Sequence, residues 1–192
     1  MSDTDGLLRG SLSRRRLLGM GAAASGALLA GCADDATNRS VQTAADESDA
    51  ADVELLNSVL DLELMVIEAY KSAAARLRGP TLQLAKGFLE QEQAHADALA
   101  TAVRDLRGTP NGPRSSYELP RLRSRDAALR YAVDLENTVI AAYVDALPKL
   151  SQADLRSAAT AILTCEAEHV AVLLGVLGEP QVPAAFVTGR AA

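Results

Sequence analysis

The amino-acid sequence predicts an all-α protein, a four-helix bundle built from two copies of an antiparallel hairpin joined by a long crossover. Three observations carry this expectation. Hydrophobic residues make up 48% of the chain and aromatics only 3%, with no Trp, and Ala and Leu dominate, which favours helix over strand. Apolar residues recur at three- and four-residue spacings without sustained alternation. The second half of the core-forming region also repeats the first.

The N-terminal segment reads as an address rather than as part of the fold. Residues 13–19, Ser-Arg-Arg-Arg-Leu-Leu-Gly, resemble a twin-arginine export signal with Arg14 and Arg15 as the pair. Leu17 and Gly19 stand where that signal usually has Phe and often has Lys. The Gly/Ala-rich apolar run from Leu17 to Ala30 is short for a transmembrane helix. It ends in Leu29-Ala30-Gly31-Cys32, which resembles a bacterial lipobox and implies cleavage before Cys32 and a lipid on its sulfur. Residues 1–31 are thus expected as a signal peptide. Residues 32–51 are small, polar and acidic and are expected as a flexible tether. The implied location is the outer face of the cell membrane, with Cys32 as the membrane contact. Twin-arginine export carries folded proteins.

The folded domain is expected over residues 52–188. A first helix should start near Asp52 as N-cap and end at Gly79-Pro80. A second runs from about Thr81 to Gly108-Thr109-Pro110. The breaker-rich stretch that follows is a long connection. A third helix starts after Ser124, another N-cap, and ends near Pro148. A fourth starts after Ser151 and ends at Gly178. Short turns make each pair a hairpin, and the long middle connection lets the second hairpin cross over.

The hairpins are copies, and a decamer from each matches the other at seven of ten positions. Asp61-Leu62-Glu63-Leu64-Met65-Val66-Ile67-Glu68-Ala69-Tyr70 aligns with Asp134-Leu135-Glu136-Asn137-Thr138-Val139-Ile140-Ala141-Ala142-Tyr143. Leu89, Glu92, His95 and Leu99 align with Leu163, Glu166, His169 and Leu173. The chain has only two histidines, and each lies three residues after a Glu, on one helical face. With Glu63 and Glu136 they make four carboxylates and two imidazoles, the donor set of di-iron and di-manganese bundles. The alternative, solvated i, i+3 pairs, fails on context. Glu63 shares a face with Val59, Val66 and Ile67, Glu136 with Val139 and Ile140, and the Glu-His pairs with Phe88, Leu99, Ile162 and Leu173. Acids on apolar stripes are costly to bury unless paired or metal-bound.

Other acids separate by angle. Glu68, Glu90, Asp97 and Glu168 project away from the ligand direction and should face solvent. Asp61 and Asp134 are repeated but also project away, without an evident reason. Tyr70 and Tyr143 lie seven residues after Glu63 and Glu136. They read equally as core tyrosines or as candidate catalytic residues whose hydroxyls hydrogen-bond a ligand carboxylate and shuttle an electron. Cys165 adjoins Glu166 off the ligand direction and is expected as a buried apolar cysteine. Two cysteines, Cys32 and Cys165, build no disulfide framework. The net charge of −6, with no basic patch bearing interleaved aromatics, argues against a nucleic-acid partner.

On these motifs residues 52–188 resemble the ferritin-like superfamily, and within it the exported bacterial ferritin-like domain proteins. The resemblance includes Val182-Pro183-Ala184-Ala185-Phe186. It implies that Glu92 and Glu166 bridge two metals, that Glu63 and His95 complete one, and that Glu136 and His169 complete the other. It also implies two iron ions, with manganese as the alternative, and O2 or peroxide as oxidant. Gln93 occupies the position of the haem-binding Met of bacterioferritins, so no haem is expected. No Cys-x-x-Cys pairs follow the bundle, and the segment after Gly178 is too short for a substantial fifth helix, which disfavours rubrerythrin-like and storage roles. A homodimer is left open. The function implied is a di-iron oxidoreductase acting on Fe(II), peroxide or O2. The competing readings are a non-catalytic metal- or partner-binding lipoprotein and a di-manganese catalase-like enzyme.

Overall fold

The computed structural model describes residues 34–190. The expected signal peptide, with Arg14 and Arg15, and the expected lipidation residue Cys32 lie outside the described residues. Four helices follow in order: α1 (Asp34–Ala74), α2 (Gly79–Asp105), α3 (Arg125–Ala146) and α4 (Ala153–Leu177). No strand occurs among the described residues. α1 packs on α2, α3 packs on α4, and the hairpins meet through α1 with α3 and α2 with α4.

The helix ends follow local chemistry. Pro80 in the first turn of α2 removes an N–H that would have no intrahelical partner. Ser124 caps α3 by accepting from the Ala127 N–H at 3.1 Å. Gly178, left-handed at φ 77°, ends α4. Its N–H donates to the Gly175 carbonyl, and the Glu179 N–H to that of Leu174, a closure that favours glycine.

The start of α1 corrects an expectation. The helix begins at Asp34, not at Asp52, so residues 34–51 are helical rather than a flexible tether. Residues 45–50 are mostly exposed. They carry Ala, Asp and Glu, which tolerate helix when the downstream helix supplies its nucleus. Asp52 is fully buried and caps a different segment. Its carboxylate accepts from the Ser151 N–H at 2.9 Å and from the Ser151 hydroxyl at 2.6 Å. It thereby fixes the α3–α4 turn against α1.

Residues 106–124 form the crossover. Asp61 accepts from Asn111 Nδ2 at 3.0 Å and from an Arg114 guanidinium N–H at 3.4 Å, and Asn57 holds the Asn111 N–H at 2.8 Å. Asp61 therefore anchors the crossover, which accounts for a repeated acid that points away from the ligands. Asp134 is exposed. Leu122 is buried and pins the far end. After α4, residues 179–190 fold back along α3. Gly189 lies so close to the α3 backbone that a Cβ there would collide with the Asn137 carbonyl oxygen. Arg190 pairs with both oxygens of Asp145 at 2.7 and 2.8 Å.

The core runs between the four helices and includes Leu60, Val66, Val103, Val139, Ile140 and Leu173. Asp52→Ala leaves the Ser151 N–H and hydroxyl, part-buried against α1, without their acceptor. It should destabilise the protein by about 1–3 kcal/mol, read as a lower midpoint in denaturant unfolding, with Asp52→Asn recovering part of the loss.

Candidate metal centre

Six polar side chains converge inside this core. Glu63 (α1), Glu92 (α2), Glu136 (α3) and Glu166 (α4) are fully buried. His95 on α2 is 9% exposed and His169 on α4 is 2% exposed. Each helix contributes one carboxylate because each carries it on the apolar stripe facing the bundle axis. Glu68, Glu90, Asp97 and Glu168 are exposed.

The ligand-type atoms form two overlapping groups. Glu63, Glu92, His95 and Glu166 make one, and Glu92, Glu136, Glu166 and His169 the other. Within each group the atoms lie within 4.8 Å of one another. Glu92 and Glu166 belong to both. His95 Nδ1 is 2.7 Å from Glu166 Oε1, and His169 Nδ1 is 3.0 Å from Glu92 Oε1 and 3.1 Å from Glu166 Oε2.

Proximity here is not hydrogen bonding throughout. Both oxygens of Glu92, Oε2 of Glu63 and of Glu136, Oε1 of Glu166 and Nδ1 of His95 are buried without a hydrogen-bond partner among the described residues. Such atoms are rare in folded proteins and expensive to leave unsatisfied. Converging oxygen and nitrogen donors of this kind suit divalent iron, manganese or zinc. The cluster can hold metal, and its donor set fits a pair of divalent cations.

Two crossed hydrogen bonds frame the cluster. The Tyr70 hydroxyl on α1 donates to Glu136 Oε1 on α3, and the Tyr143 hydroxyl on α3 donates to Glu63 Oε1 on α1 at 2.6 Å. Each tyrosine thus serves the carboxylate of the opposite hairpin, which requires α1 and α3 to run antiparallel. Both are buried, so of the two readings of Tyr70 and Tyr143 the geometry matches the hydroxyl on a cluster carboxylate. Burial, then the neighbouring Glu136 or Glu63, pushes each phenol well above its ordinary value, and both remain donors.

Gln91 was not visible as a site residue. Its Oε1 lies 2.8 Å from His169 Nε2. Acceptance from an Nε2–H leaves Nδ1 as the lone-pair donor toward the cluster. Its only signal was adjacency to Glu92, at the repeat position of Cys165. Cys165 is half-buried rather than buried, with Sγ 3.6 Å from the same Nε2. Phe88 packs on the His169 ring at a centroid distance of 4.1 Å. A cavity of about 630 Å³ under crossover residues 111–119 is lined by none of the six cluster residues.

The metal-free cluster balances its charge with protons. Burial, then the repulsion of Glu166 and Glu92, holds Glu63 well above the usual carboxylate range. Burial dominates at Glu136 and pushes it up to about 8. At Glu92 and Glu166 burial is outweighed by both histidines, so Glu92 is held low and Glu166 falls to about 2. Burial alone would lower the imidazoles, but the facing carboxylates push His95 up to about 11 and His169 up to about 12. At neutral pH two imidazolium ions therefore offset two carboxylates, while Glu63 and Glu136 are neutral acids. Two divalent cations against four carboxylates reach the same neutrality.

Two overlapping buried groups of carboxylates and imidazoles that could hold metal, set in a four-helix bundle, are the arrangement of a class, the di-metal carboxylate proteins. A family model described as a ferritin-like domain matches residues 51–179, and the chain belongs to that family. A conserved hypothetical protein, rv2844, from Mycobacterium tuberculosis is similar in structure. Its TM-score is 0.63 at 25% identity, covering 66% of this chain and 97% of that one. A ferritin like, diiron-carboxylate protein from Bacillus anthracis str. Ames superposes with TM-score 0.58 at 26% identity, covering 68% and 97%. No curated protein matches the chain.

Metal loading should exchange about two protons per divalent ion. The apparent affinity should therefore rise steeply as pH increases toward neutral, because the imidazolium protons and those of the raised carboxyls Glu63 and Glu136 must leave before the donors can bind. Titration calorimetry in buffers of different ionisation enthalpy reads the proton count directly.

Proposed function

We propose that this chain is an exported, lipid-anchored di-iron protein that oxidises Fe(II) or reduces peroxide or O2 outside the cytoplasm. The observation that carries the reading is the set of buried carboxylate and imidazole atoms left without hydrogen-bond partners, arranged in two groups that share Glu92 and Glu166. The family match and the likeness to a diiron-carboxylate protein support it. Glu92 and Glu166 would bridge, Glu63 with His95 would complete one position, and Glu136 with His169 the other.

A bound iron pair supplies the redox chemistry. The chain's own residues prepare the place for it. The apolar stripes of α1 to α4 exclude water, which strengthens every charge interaction inside. Tyr70 and Tyr143 keep their protons and orient one oxygen each of Glu136 and Glu63, leaving the second oxygen of each free to ligate. The edge of His95 is the most exposed part of the six, so a small oxidant or an Fe(II) ion approaches there.

The anchor rests on the twin-arginine pair Arg14-Arg15 and on Cys32 in its lipobox-like setting. Release of a Cys32→Ser variant from the membrane fraction is the expected outcome, and continued membrane attachment would overturn the anchor.

The full-length protein, loaded anaerobically with Fe(II), should retain about two irons per chain, and Glu92→Ala/His95→Ala should abolish retention. On mixing with O2 or H2O2 the loaded protein should oxidise faster than buffer. Stoichiometric but redox-silent metal would replace this reading with a non-catalytic one. Manganese in the isolated protein, with O2 evolved from H2O2, would make it catalase-like.

A further inference from the structure

The duplication that builds the cluster makes its two halves look interchangeable, but the residues around the two histidines differ. His169 is held on three sides. Its Nδ1 faces Glu92 and Glu166, its Nε2 lies 2.8 Å from Gln91 Oε1, and Phe88 covers its ring. The repeat counterparts of Phe88 and Gln91 on α4 are Ile162 and Cys165. Ile162 has no ring to stack, and the short Cys165 side chain lies against His169 on its own helix, at 3.6 Å, rather than reaching across. In consequence Nε2 of His95 has no hydrogen-bond partner among the described residues, and its side chain is 11% exposed.

We infer that the two metal positions are inequivalent, with Glu136/His169 a firmly held resident position and Glu63/His95 the exchangeable, solvent-facing one, and that Gln91 is the positioning residue that sets the difference. The inference rests on the metal-binding reading above and concerns how the two positions divide their roles. An acceptor on the distal nitrogen fixes the tautomer and the ring orientation and makes the proximal nitrogen a better donor. The Gln91 carboxamide does this for one imidazole only. A cation arriving from solvent meets the rim of His95 first, where carboxylates face Nδ1 but no side chain accepts from the distal nitrogen, so that position fills last and empties first. Gln91 is itself exposed, so replacing it opens no hole in the core.

The test is Mn(II) titration of the metal-free full-length protein, followed by electron paramagnetic resonance and calorimetry. The first equivalent should bind at least tenfold tighter than the second and give the signal of an isolated ion. The second should convert that signal to one of a coupled pair. Gln91→Leu should weaken the tight step by about 10- to 100-fold and leave the weak one in place, whereas Gln91→Glu, which keeps an acceptor, should restore the separation. Cys165→Gln, which gives α4 the side chain α2 already has, should tighten the weak step. Two ions bound indistinguishably by the unaltered protein, or equal weakening of both steps by Gln91→Leu, overturns the inequivalence while leaving the metal centre standing. Failure of the unaltered protein to bind Mn(II) and Fe(II) alike overturns the metal centre and this inference together.

Discussion

Four carboxylates and two imidazoles lie inside an apolar bundle, and their mutual neutralisation is the condition on which the rest of the structure depends. A buried ionised carboxylate without compensation costs several kcal/mol or changes its protonation state. Here the compensation comes from within the cluster. The histidines take protons, Glu92 and Glu166 stay charged, and Glu63 and Glu136 become neutral acids. The oxygens and nitrogens that share these protons are the same atoms that converge as a donor set for cations.

Duplication explains how so many polar groups reach one place. Each hairpin supplies half of the donors on equivalent helical faces, and antiparallel packing of α1 on α3 brings the halves together. The bonds from Tyr70 to Glu136 and from Tyr143 to Glu63 then make each hairpin responsible for the other's carboxylate. Neither half can shift along the bundle axis without breaking both bonds. The register between hairpins is thus set by polar groups at the centre as well as by apolar packing around it.

What could be read from the sequence follows from the range of each interaction. The helical stripes, the Ser124 cap and the Gly178 stop are local, and residue type announces them. The two Glu-x-x-His pairs with Glu63 and Glu136 were legible because spacing puts them on apolar faces and the repeat ties them together. The crossed tyrosine bonds were only half legible. Spacing aligns Tyr70 with Glu63 on one helix, but its partner sits on α3, at a position set by antiparallel register. Gln91 was hidden for the same reason, since its partner His169 is on another helix. Asp52 misled because an acid at an apparent helix start looks the same whether it caps its own helix or a turn far along the chain. Residues 34–51 misled because Ala-rich acidic sequence satisfies the composition of a tether and the propensity of a helix equally.

The early start of α1 has a mechanical consequence. A helix of 41 residues is about 60 Å long at 1.5 Å per residue, well beyond what the bundle itself needs. If Cys32 carries the proposed lipid, this rod would set a distance between the anchor and the bundle. The bundle would be held off from the bilayer by a stiff lever instead of wandering close to it on a leash, and the edge bearing His95 would sit at a set height above the lipid. Whatever small molecules reach that edge would then be sampled from one defined layer of the space outside the membrane.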